Sequence, residues 1–128
     1  MWKNLFLMAV SLLPLRAESA CTGKDLQGRY VTMAAFENSG SWRRCTTRIN
    51  ADGIAVGSCI ASAADIVPTS PVQLSISPSC RVSGTSQDGV FSFSLRMQRH
   101  KRGMIGRIRS DDGQNVLEGP WVGVKLGK

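Results

Sequence analysis

The stretch from Arg44 to Ile60, RCTTRINADGIAVGSCI, constrains the chain more than any other. Asn50-Ala51-Asp52-Gly53 is turn chemistry. Asn and Asp side chains bond back to their own backbone, and Gly takes positive φ without steric cost. A loop over Ala51-Asp52-Gly53, closed by Gly53 in the left-handed region, pairs Asn50 with Ile54. Continuing that pairing outward sets Cys45 opposite Cys59, on adjacent strands and the same face, where Cβ atoms lie close. The segment therefore predicts a β-hairpin that carries its own disulfide.

The chain has 128 residues, enough for one domain. Residues 1–20 differ from the rest: Lys3 is a short positive region, an apolar run follows, and small residues end it at Ala17, Ser19 and Ala20. That pattern is a secretory signal peptide, and its apolar run is too short for a membrane span. Cleavage fits after Ser19 or after Ala20. Lipid attachment at Cys21 is the competing reading, but such sites want an apolar residue three positions earlier, where Glu18 stands. The expected domains are thus a leader at 1–20 and a single domain at 21–128.

Losing Lys3, Arg16 and Glu18 leaves 14 Lys and Arg against 8 Asp and Glu, a net charge of +6. Four cysteines in a small exported domain point to two disulfides and to an oxidising compartment, the periplasm or the exterior. There is no C-x-x-C pair, and the single His has no His or Cys near it in sequence. No metal site and no cofactor are expected.

Beyond residue 24 no helical periodicity stands out. Short alternating runs separated by turn signals predict strands at 26–34, 43–50, 54–60, 72–77, 80–84, 90–98, 104–109 and 116–126. Phe91, Phe93, Leu95 and Met97 alternate most regularly and are expected to form the heart of the core. Trp121 has the opposite parity to Val122, Val124 and Leu126. It is either a partner-facing surface residue or the mark of a bulge at Pro120. Every connection is too short for a parallel crossover. The fold class is all-β: an antiparallel meander of about eight strands, closed into a small barrel stapled by two disulfides. A five- or six-stranded reading, with the short strands demoted, remains open.

The meander gives each loop an end. With the start of the first strand as the bottom, the turns at Asp52, Pro78 and Lys101 lie at the bottom, and the loops at Ser39, Pro68, Gln87 and Asp112 lie at the top. Cys45 and Cys59 are near the top, while Cys21 and Cys80 are near the bottom. The expected pairing is Cys45–Cys59 with Cys21–Cys80.

Asp25-Leu26-Gln27-Gly28-Arg29-Tyr30 resembles the Leu-x-Gly-x-aromatic opening strand of small secreted meander barrels: avidin-like proteins, lipocalins and barrel-type bacterial metalloprotease inhibitors. The turn at 50–53 and the closing Trp121-Val122-Gly123-Val124-Lys125 are similar in placement. The resemblance covers the mature chain as architecture and implies no particular ligand. Avidin-like biotin sites use several tryptophans, and the mature chain here has only Trp42 and Trp121.

Two groups of residues are candidate sites. Arg96, Arg99, Lys101, Arg102, Arg107 and Arg109 make a basic hairpin with no acid between Gly89 and Ser110, suited to an anionic partner. The plain alternative is a solvated face. Phe36, Trp42, Asp111 and Asp112 gather at the top, where aromatics among polar loops suit a barrel-mouth site; the alternative is turn chemistry with Trp42 capping the barrel. Nucleic acid is not expected, because export removes it and no aromatic platform interleaves the cations. His100 has no nucleophile or carboxylate beside it, so no catalytic residue is assigned and an enzyme is not expected. The sequence therefore suggests a secreted or periplasmic binding module. Its partner is an unidentified protein or an anionic envelope polymer, met as an inhibitor or adhesion-type protein. A lipocalin-like carrier of a small apolar ligand is the alternative.

Overall fold

The computed structural model describes residues 20–62 and 66–127. The expected leader falls outside these residues apart from Ala20. Among these residues one helical turn, α1 (Gly23–Leu26), precedes nine strands: β1 (Gly28–Ala35), β2 (Trp42–Ile49), β3 (Ile54–Ala61), β4 (Ile66–Pro68), β5 (Val72–Ile76), β6 (Arg81–Ser86), β7 (Phe91–Met97), β8 (Gly103–Asp111) and β9 (Val116–Leu126). All pairings are antiparallel. β1 joins both β2 and β9, and β2 joins β3, so the sheet closes on itself. β4 and β5 lie end to end against β3 and count as one interrupted strand, which makes an eight-stranded meander barrel.

β4 was not foreseen. Three residues ending in Pro68 leave too short an alternation to read. The interruption after it is a matter of register. Ser58 faces Pro68 and Ala55 faces Val72, so two residues of β3 oppose three of the other strand, as in a bulge. Pro71 has no N–H for a ladder at that point. Thr69 holds the break by donating its N–H and its hydroxyl to the Gly57 carbonyl, at 3.0 and 3.1 Å.

The stapled hairpin forms as expected. Asn50 Oδ1 accepts from the N–H groups of Asp52 and Ile54 at 2.9 and 3.0 Å, and Gly53 has φ +80°. Cys45 stands opposite Cys59 and is bonded to it, with Cα atoms 4.0 Å apart. Cys21 is bonded to Cys80.

The first strand starts two residues later than expected. Leu26 ends α1, where Asp25 accepts from the Thr22 N–H at 2.8 Å, and its side chain turns into the barrel bottom. A single turn has no periodicity to reveal it. Tyr30 lies directly above, fully buried, and donates its hydroxyl to the Leu26 carbonyl at 2.9 Å. Around this pair pack Ile49, Leu74, Val82, Leu95, Met97 and Met104, so the dense core fills the lower barrel. Leu95 and Met97 sit in it as expected. Phe91 and Phe93 do not: they are half-buried, because the strand carries them upward to where the interior is hollow.

β9 corrects both readings of Trp121. Its register with β8 is unbroken from Val124 to Val116, so Pro120 marks no bulge. Trp121 points inward, where it meets Phe93 edge to face at 6.1 Å. Gly123 beside it makes the room, since a Cβ there would come within 2.6 Å of the indole. The strand spends small residues inside to seat one large ring. Its branched residues, Val122, Val124 and Leu126, therefore face outward and stay exposed.

Candidate functional site

The basic hairpin divides its charge by position. At its upper end Arg107 meets Glu37 at 2.7 Å, and Arg109 meets Glu118 at 3.3 Å and Asp111 at 3.6 Å. Such exposed pairs are worth less than about 1 kcal/mol each, but they neutralise the upper arm. At the lower end the turn holds Arg99, Lys101 and Arg102. Lys101 lies 3.5 Å from Asp25, and His100 Nδ1 accepts from the Arg102 N–H at 3.0 Å. Arg96 belongs to neither end. It faces outward in mid-strand, directly opposite Arg81 on β6.

The barrel-mouth group does not converge. Phe36 is buried against Ala34 and Ile108, whereas Trp42 faces outward and is 42% exposed. Asp111 ends β8 in its ion pair with Arg109. Asp112 closes the following turn by accepting from the N–H groups of Asn115 and Gln114, and those bonds hold its carboxyl below the usual range. Among the described residues no group of three or more His, Cys, Asp or Glu is placed to hold a metal ion.

The structure brings together a different set. Met33 on β1 faces Val122 on β9, and Val122 faces Ile105 on β8. All three point outward and are 47%, 42% and 49% exposed. They form one cross-strand row. The row continues to Arg44 on the β2 side, and to Arg96 and then Arg81 on the other. At the usual ~4.8 Å strand spacing the apolar centre is about 10 Å wide and the whole row about 24 Å. Trp42, opposite Ala35, adds an indole toward the top. Met33, Val122, Ile105, Arg96, Arg81 and Trp42 line a shallow groove of about 980 Å³ on the outer wall, and Arg44 continues the row beyond its lining.

The electrostatics of the groove are one-sided. Among the described residues Arg44, Arg81 and Arg96 make no ion pair, whereas Arg107, which also lines the groove, is paired with Glu37. Like charges directly opposite across strands are destabilising, and Arg81 against Arg96 is such a pair. Exposed apolar side chains scattered singly need no explanation, but a contiguous group with a polar rim marks an interaction site. Sequence reading missed this group because it forms only when β1, at the start of the barrel, pairs with the β8–β9 hairpin at its end. The one available signal was the parity of Val122, Val124 and Leu126 against Trp121.

The interior holds a second space, a cavity of about 80 Å³ beneath the barrel mouth. Its walls include Phe91, Phe93, Trp121, Val72 and the Cys45–Cys59 bridge.

No protein-family model matches the chain, and no curated protein or solved structure matches it. No helix among the described residues is long and apolar enough to cross a membrane.

Proposed function

We propose that this protein is a non-enzymatic binding module for an oxidising, exported compartment, of the inhibitor or adhesion type. Its outer wall takes an acidic, partly apolar segment of a partner protein. The observation that carries this reading is the row Arg44–Met33–Val122–Ile105–Arg96–Arg81: an apolar centre bounded on both sides by cations without acidic partners among the described residues. Apolar anchors of the partner would cover the centre, and its carboxylates would meet the arginine forks, which match carboxylate geometry. The two disulfides agree with the compartment.

Charge argues against a second copy as the occupant. A symmetric dimer through this face would bring one arginine rim against another. Size argues against a carrier of large apolar ligands, because 80 Å³ is far below the roughly 300 Å³ at which pockets take drug-sized molecules.

The test is a methyl-detected NMR titration with an eight-residue peptide alternating Glu and Leu, and with its Lys/Leu counterpart. The acidic peptide should shift Met33, Ile105 and Val122, and the joint change Arg81→Ser and Arg96→Ser should weaken it about tenfold. Unmoved methyls, equal shifts from the basic peptide, or a concentration-dependent dimer through the same methyls would each overturn the proposal.

A further inference from the structure

The inward positions of β2 are Arg43, Cys45, Thr47 and Ile49, so the alternation that builds the barrel also puts a guanidinium on its inner wall. Arg43 sits at the upper end of the cavity, with Cζ 5.0 Å from the centre of the Phe91 ring. The group is half-buried, and burial lowers its pKa from the usual value, though Arg keeps its charge in proteins. Among the described residues its guanidinium has no salt bridge and no hydrogen bond, and the face of Phe91 is its one counterpart. Five N–H donors are thus aimed into a space walled by Phe93, Trp121, Val72 and Ile49. A charge in apolar surroundings is costly unless it is paired. Arg44, the next residue, faces the opposite way and is exposed, so a cation at this end of β2 did not have to point inward.

We infer that the barrel interior is a binding site for a small monocarboxylic acid, its carboxylate on Arg43 and its hydrocarbon part against Phe93 and Trp121. Three features select this class. The walls favour hydrocarbon. The single cation is neutralised by one negative charge, whereas a dianion would leave a net charge in the cavity. The planar fork matches a carboxylate in two parallel bonds. Volume sets the length: at 10–15 Å³ for each water-sized position, 80 Å³ admits roughly five to eight non-hydrogen atoms. That is a short or branched acid, not a lipid chain. Trp121 borders both this space and the outer groove, but the two readings rest on different cations, Arg43 here and Arg44, Arg81 and Arg96 outside, so either can fail without the other.

The test uses the disulfide-bonded protein at neutral pH, titrated with isovalerate, with its neutral isostere isovaleramide, and with decanoate. Calorimetry and tryptophan emission are followed together, since Trp121 lines the site. Isovalerate should bind at least about tenfold more tightly than the amide, and Arg43→Gln should remove that difference, because a charge-assisted pair is being lost. Arg43→Gln relieves a half-buried unpaired charge, so its melting temperature should hold or rise, which separates loss of the site from loss of the fold. Decanoate should bind at least about tenfold more weakly than isovalerate. Equal binding of acid and amide to the wild type, undiminished binding to Arg43→Gln, decanoate binding as tightly as isovalerate, or no binding of isovalerate at all would overturn the inference.

Discussion

Tyr30 is the only tyrosine in the chain, so its ionisation can be followed without interference from another phenol. Its ring has no solvent exposure, and its hydroxyl donates to the Leu26 carbonyl at 2.9 Å. Burial, and secondarily the negative charge of Asp25, push its pKa up to about 12. In the unfolded chain it titrates near 10. The folded state therefore holds the proton more tightly. The stability this gives is complete below pH ~10 and is lost as pH rises through about 12. A shift of about two units corresponds to roughly 2–3 kcal/mol, lost across that window. The assay is tyrosinate absorbance against pH on the native protein, paired with denaturant melts at several alkaline pH values. Tyr30→Phe leaves the Leu26 carbonyl unpaired and should cost about 1–2 kcal/mol at neutral pH. Between pH ~10 and ~12 that variant should lose less stability than the wild type, by the same 2–3 kcal/mol. Lysines titrate in both proteins and cancel in the comparison. A native midpoint near 10, or parallel losses in the two proteins, would refute the account of the lower core.

Two further outcomes follow from the uneven interior and from the lower turn. Leu95→Ala, fully buried, should cost about 2–5 kcal/mol, and Phe93→Ala, half-buried although it borders the same cavity, should cost less than Leu95→Ala in the same urea melts; the reverse order would mean that Phe93 is the better packed of the two. Changing Arg99, Lys101 and Arg102 together to Ser should weaken salt-sensitive retention on heparin while each change shifts stability by under about 0.5 kcal/mol, and unchanged retention would make that turn a solvated face.

What could be read from the sequence was local chemistry propagated by a fixed period. Asn50 and Gly53 set a turn, the turn set a register, and the register carried Cys45 to Cys59 with no tertiary information. The meander ends then placed Cys21 near Cys80. What could not be read depended on who sits across the barrel. Trp121 points inward because Gly123 clears its path, and no count of apolar residues along β9 says which face has that room. Leu26 continues the alternation of β1 on paper, yet its one helical turn plugs the bottom. The site suffered most. Arg96, Arg107 and Arg109 are close in sequence, but two of them are answered by acids from β9 and from the β1–β2 loop and the third by another arginine. Phe36 and Trp42 are neighbours in the same loop region and point to opposite sides of the wall.

The interruption between β4 and β5 leaves the wall there joined to the lower part of β3 by only the pairs Ile54–Gln73 and Ala55–Val72, with Leu74 N–H to Gly53 and Gln73 Nε2 to Asp52 latching its foot at 2.9 and 2.8 Å. A cylinder splits along its weakest stave. β3 and β5 are consecutive in the meander, so parting them unthreads nothing, while the β3–β4 pairs above and the Cys21–Cys80 bridge at the bottom hold the rest of the barrel closed. The amide protons that face this seam, at 55, 72 and 74, should accordingly exchange with solvent before those of β8 and β9. A gap there would bare only the short lower edges of β3 and β5, and an unpaired edge is a template for a strand of another chain. The break beside Pro71 thus predicts which edge of the wall opens first and which strands concentrated solutions of the protein would present to one another.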